Sequence, residues 1–116
     1  MASSDYTPSV QTDKVATITS GTTVSAAIDL GGTQLCGLYM PAAFTGTTIK
    51  IQTAPSLAGT YTPVQSAGAD YALTVGANKY VPVENLAILA GVRFIKLQSS
   101  ASETADRTIT LASRPV

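Results

Sequence analysis

The sequence predicts an all-β protein: an antiparallel, jelly-roll-like β-sandwich of about eight or nine short strands, with one short helical turn and an extended N-terminal arm. Three observations lead there. Short runs alternate apolar and polar residues with a period of two, as in Thr48-Ile49-Lys50-Ile51-Gln52, where the isoleucines face one side and the lysine and glutamine the other. Turn residues interrupt these runs every few positions, as at Ser20-Gly21-Thr22, Gly31-Gly32, Ala54-Pro55-Ser56 and Gly76-Ala77-Asn78. A near copy of the Ile49 strand returns as Phe94-Ile95-Lys96-Leu97-Gln98-Ser99, and the two segments are expected to sit back to back at the centre of the sandwich.

Residues 1–13 are polar, rich in Ser and Thr, and contain Pro8, so they are expected to form an extended arm that docks on its own sandwich or on a neighbouring subunit. Residues 14–116 are expected to form one sandwich domain. Its first strand is predicted over Val15 to Thr19, followed by a run that places Val24, Ala26, Ile28 and Leu30 on one face. Leu35 to Met40 is more uniformly apolar, which predicts a strand covered on both faces and ended by Pro41. Phe44 is expected to plug one end of the sandwich.

After the Thr48 strand the chain turns at Ala58-Gly59-Thr60 and runs extended from Tyr61 to Val64. Ser66 to Asp70 reads as a loop. Tyr71 to Val75 and Lys79 to Val83 read as a hairpin across Gly76-Ala77-Asn78, with Pro82 confining the second strand to an edge or strand end. The one helical candidate is Glu84 to Ala90, capped by Asn85, turning Leu86 and Leu89 inward and stopped by Gly91. Val92 to Ser99 and Arg107 to Ser113 supply the last two strands.

Composition narrows the function classes. Seven basic residues balance seven acidic ones, and charged residues make up 12% of the chain, against about a quarter in ordinary proteins. Nucleic acid is not an expected partner, because phosphate binding needs clustered Lys and Arg. Membrane insertion is not expected either, since no apolar run approaches the length of a spanning helix. The start Met-Ala-Ser-Ser-Asp-Tyr has neither the basic nor the apolar stretch of a secretory signal, which makes a cytoplasm the expected place of synthesis. A surface of Thr, Ser, Gln and Asn with little charge suits a protein packed against others. The single cysteine, Cys36, has no partner for an internal disulfide and reads as a buried structural thiol.

The chain contains no histidine, so it lacks the commonest general base and the usual zinc ligand; no catalytic residue, cofactor or metal site is expected, and the protein is not expected to be an enzyme. The carboxylates Asp5, Asp13, Asp29, Asp70, Glu84, Glu103 and Asp106 are scattered and read as solvated, the alternative being a cation held by Asp70 or Asp106 with loop carbonyls. Asp106-Arg107 reads as an ion pair at a sandwich edge or as a contact for another subunit. Tyr61, Tyr71 and Tyr80 fall near loops or strand ends, where they either cap the core or anchor a protein or sugar contact. With Asp5, Tyr6 and Pro8 of the arm they form the candidate partner-contact set.

Two resemblances add to this reading. The Ile49 strand, the turn Ser56 to Tyr61, the run Gly91 to Leu97 and the final Arg107 to Leu111 resemble discoidin-type or galactose-binding-like jelly rolls, although Leu57-Ala58-Gly59 stands where those domains carry an Asp-Gly turn. Their ligand-binding loop residues have no counterpart here. More closely, the segments Ala27 to Thr33, Leu38 to Gly46, Leu89 to Lys96 and Ala105 to Ile109 resemble small structural proteins of tailed double-stranded DNA phages, in particular head decoration or cement proteins. That resemblance implies a protein on the head exterior of the virion, binding the major capsid protein and other copies of itself and stabilising the shell. Alternatives are a glycan-binding or adhesion module on the virion, and a tail or joining protein.

Overall fold

The computed structural model describes residues 10–115; Asp5, Tyr6 and Pro8, with most of the expected arm, lie outside the described residues. Alternating sequence becomes alternating burial at Thr48 to Gln52 and at Phe94 to Ser99. The strands are β1 (Gln11–Ile18), β2 (Ile28–Asp29), β3 (Thr33–Tyr39), β4 (Thr48–Ala54), β5 (Thr62–Pro63), β6 (Gln65–Ser66), β7 (Ala69–Asp70), β8 (Ala72–Thr74), β9 (Tyr80–Pro82), β10 (Phe94–Ser99) and β11 (Arg107–Pro115), with one 3-10 turn at Leu86–Leu89. Successive strands of the first half pair with strands of the second half in reverse order: β1 with β11, β2 with β10, β3 with β9, β4 with β8, all antiparallel. This long ribbon is wrapped into a four-stranded sheet ordered β1-β11-β3-β9 and a second sheet ordered β2-β10-β4-β5, with β8 also on β4. Two sheets fed by one folded ribbon make a jelly roll, the predicted class. The ribbon's far end adds the small β6–β7 hairpin, turned by Ala67 and Gly68 at positive φ, where the sequence suggested only a loop.

The core lies between the sheets. Ile18, Leu38, Ile109 and Leu111 from the four-stranded sheet meet Ile49, Ile51, Ile95 and Leu97 from the other, all fully buried, with Phe44 buried alongside them in the same core. The two matching segments are thus neighbours within one sheet rather than back to back: Ile51 stands opposite Leu97, Lys50 opposite Gln98 and Gln52 opposite Lys96. Their similarity follows from a shared environment, because each presents the same inner and outer faces.

Several expectations are corrected. Strand β1 begins at Gln11, earlier than Val15, through a register shift between Gln11 and Lys14. The run from Val24 to Leu30 is not one strand: Val24 bridges Gln98 and Ile28 pairs with Ile95, so one side advances a residue further than the other and the alternation slips. Ser25 is therefore buried while Ala26 is exposed, and its hydroxyl accepts from the Leu97 N–H and donates to the Ala26 carbonyl. β8 and β9 are not a hairpin either, because β8 belongs to one sheet and β9 to the other. Asn78 supplies the positive φ of the connection that carries the chain across. Pro82 does lie on an edge strand, and Asn85 does cap the 3-10 turn, accepting from the Ala87 N–H. Leu89 is buried but Leu86 is exposed, since a single 3-10 turn is too short to carry an apolar stripe.

Candidate functional site

The outward side of the four-stranded sheet is built by register. Val15 of β1 stands opposite Thr110 of β11, Thr110 opposite Tyr39 of β3, and Tyr39 opposite Tyr80 of β9, so one row of side chains crosses all four strands. Tyr39 and Tyr80 pack as a tilted pair with ring centroids 4.7 Å apart, an arrangement aromatic quadrupoles favour. Both remain about half exposed, at 47% and 46%, and Val15 is 49% exposed. Beside this row Thr17 and Thr108 share a hydroxyl hydrogen bond of 3.2 Å. Gly37 is what lets Tyr80 lie flat: a Cβ there would collide with the Tyr80 ring and hydroxyl. Within Leu35–Met40 both faces are covered only around Gly37, which lies under Tyr80 while Leu38 faces the core; Tyr39 is exposed and Cys36 partly exposed, which corrects the expectation of double burial along the whole run and of a buried thiol.

Next to Tyr80 the edge strands β8 and β9 diverge into different sheets and leave an open hollow of about 620 Å³. Tyr71, Tyr80, Lys79, Glu84 and Asn85 contribute to its walls. Burial raises the Tyr71 hydroxyl's pKa above its ordinary value near 10, with the Glu84 carboxylate adding to it. Burial, then the neighbouring Tyr39 and Cys36, raises that of Tyr80. Both phenols therefore stay neutral hydrogen-bonding groups at physiological pH and are not poised as nucleophiles. Of the three candidate tyrosines, two are brought together here and one is not. Tyr61 lies against the second sheet, its ring 4.7 Å from the Lys96 ammonium and its hydroxyl donating to the Leu57 carbonyl.

The second sheet's outer side differs in kind. Lys50 pairs with Asp70 at 3.1 Å, Arg93 with Asp29 at 2.9 Å, and the Gln52 amide donates to Gln98. The Arg93 guanidinium, and then the Gly31 N–H, hold the Asp29 carboxyl below its ordinary value. Asp70 is thus engaged by lysine, and Asp106 accepts from the Ser20 N–H at 2.8 Å, so the two do not converge on a cation site. Arg107 does not pair with Asp106 but turns to Glu103 at 3.1 Å, because Glu103 is buried and needs a cation. Among the described residues no three of His, Cys, Asp and Glu gather where a metal ion fits.

Sequence reasoning missed Tyr39 and Glu103. The signal for Tyr39 was Gly37, a glycine inside a strand that marks a close approach. Glu103 sits in a loop of small residues and gave no local signal. Comparisons with protein-family models, with curated proteins and with solved structures find no match for this chain.

Proposed function

We propose that this chain is a virion structural protein of the head decoration or cement kind, which attaches to a lattice of major capsid protein from outside and works by contact alone. The observation that carries this reading is the uncharged row Val15–Thr110–Tyr39–Tyr80, where three large side chains stand about half exposed on a rigid sheet. Exposed tyrosines on a rigid scaffold are effective contact groups because they bury much surface for few rotatable bonds. The phage-protein resemblance of Ala27 to Thr33, Leu38 to Gly46, Leu89 to Lys96 and Ala105 to Ile109 supplies the setting. Many modest contacts to a mature lattice then stabilise it by mass action.

A second reading is favoured by a different observation, the hollow that joins Tyr71 and Tyr80 to Lys79, Glu84 and Asn85. Aromatic faces beside polar groups suit a sugar, and the reading is a glycan-binding module on the virion. The jelly roll serves capsid and lectin domains alike, so the fold favours neither. Gold labelling of the protein in intact virions, paired with a glycan array, separates them. The decoration reading expects label over heads and no glycan signal. Label confined to tails, or glycan binding lost in Tyr71→Ala, would replace it.

A further inference from the structure

We propose that Gly37 is a positioning residue for lattice attachment, acting through Tyr80: it fixes that ring flat on the contact row, so that the lattice meets a preformed aromatic surface. The inference rests on the reading that the tyrosine-bearing side of the four-stranded sheet attaches to the lattice, and it adds what holds that side in shape. A glycine inside a strand weakens it, because it has more backbone freedom to lose and no side chain to pack. Gly37 nonetheless stands in the middle of β3, opposite Ala112 of β11 on one side and Pro82 of β9 on the other. Its backbone does not ask for glycine. The glycines at positive φ are Gly21, Gly31 and Gly68, and Gly37 is not among them.

The demand comes from above the strand. A Cβ on Gly37 would come within 2.5 Å of Tyr80 Cζ and 2.7 Å of Tyr80 Cε1, and nearer still to the hydroxyl oxygen. These three nearest atoms all belong to the far end of one side chain, so an added methyl group meets a ring that can turn about its own torsions rather than a backbone that must break. Once displaced, the ring leaves Tyr39, its neighbour at 4.7 Å across the β3–β9 register. A ring set free must be immobilised again at each contact, which costs affinity that a preset ring keeps. The hydroxyl is held over Gly37, so Tyr80 offers the lattice the face of its ring.

Attachment of the wild type, Gly37→Ala, Tyr80→Ser and the variant carrying both changes to purified, undecorated phage heads tests this, with urea unfolding of each protein alongside. Gly37→Ala is expected to stay folded and to bind about three- to tenfold more weakly, the range expected from freeing one ordered side chain and losing its aromatic neighbour. In the Tyr80→Ser background no ring is left to displace, and the same substitution is expected to change attachment less than about twofold. There it should raise stability, because alanine has less freedom to lose than glycine. A spectroscopic signature accompanies the change. Burial, then Tyr39 and Cys36, raises the Tyr80 phenol above its ordinary value near 10, and its titration, identified by its loss in Tyr80→Ser, is expected to move back toward that value in Gly37→Ala. A folded Gly37→Ala that attaches as the wild type does, an equal loss in both backgrounds, an unmoved Tyr80 titration, or a Gly37→Ala that unfolds because the strand gives way instead of the ring overturns the proposal. A wild type that fails to attach removes the decoration reading itself, whereas a wild type that attaches beside an unimpaired Gly37→Ala removes only the role of Gly37.

Discussion

Glu103→Ala is expected to lower the unfolding free energy by about 3 to 5 kcal/mol, since it leaves a partly buried cation and several donors without a partner. Glu103 is 2% exposed, yet it is fully engaged. Its carboxylate accepts from the Thr45 N–H at 3.0 Å, the Thr45 hydroxyl at 2.8 Å, the Gly46 N–H at 3.1 Å and the Arg107 Nε at 3.1 Å. Its own carbonyl also accepts from the Gly21 N–H. One side chain therefore ties the loop after β3 and the loop after β10 to the start of β11, closing one end of the sandwich. Burial by itself would raise the Glu103 carboxyl's pKa, but the Thr45, Arg107 and Gly46 donors outweigh it and hold it below the ordinary value near 4.5. A carboxyl depressed in the folded state contributes its full stability above the unfolded value and loses it as pH falls through the folded one. Urea unfolding across this acid range should show the wild type losing stability with a steeper slope than Glu103→Gln. Equal slopes would mean that the charge does not matter.

Leu97→Ala is expected to cost about 2 to 5 kcal/mol, and Ile51→Ala a similar amount. Both residues are fully buried and stand directly opposite each other on β10 and β4. Because they share a wall of the core, removing the second finds part of the space already open. A double-mutant cycle by urea denaturation should give a coupling of about 0.5 to 3 kcal/mol. Strict additivity would place the two residues in separate parts of the core and contradict the β4–β10 register.

The strands were legible where burial is one-sided. Ile49 and Ile51, Ile95 and Leu97, and Ile109 and Leu111 alternate with polar residues because one face meets the core and the other meets solvent. Pro82 announced an edge because it has no N–H to donate. What the sequence could not convey was long-range pairing. Nothing local distinguishes a hairpin at Gly76-Ala77-Asn78 from a crossing between sheets; that depends on β8 finding β4 and β9 finding β3. The Tyr39–Tyr80 pair was hidden for the same reason. Tyr80 was legible as an exposed tyrosine, but its partner Tyr39 lay inside an apolar run and is placed beside it only by the β3–β9 register. Glu103 was hidden differently, since its partners Thr45 and Gly46 lie far away in the chain and a carboxylate among small residues reads as solvated.

The central claim is that this protein works through the tyrosine-bearing side of its four-stranded sheet. The direct test compares attachment of the wild type and of the double variant Tyr39→Ser, Tyr80→Ser to purified, undecorated phage heads, with unfolding curves of both proteins measured in parallel. The account predicts that the double variant stays folded, losing about 1 to 3 kcal/mol with the Tyr39–Tyr80 pair and the cover of Tyr80 over Gly37, and binds at least about tenfold more weakly. Equal occupancy by a folded double variant would contradict it.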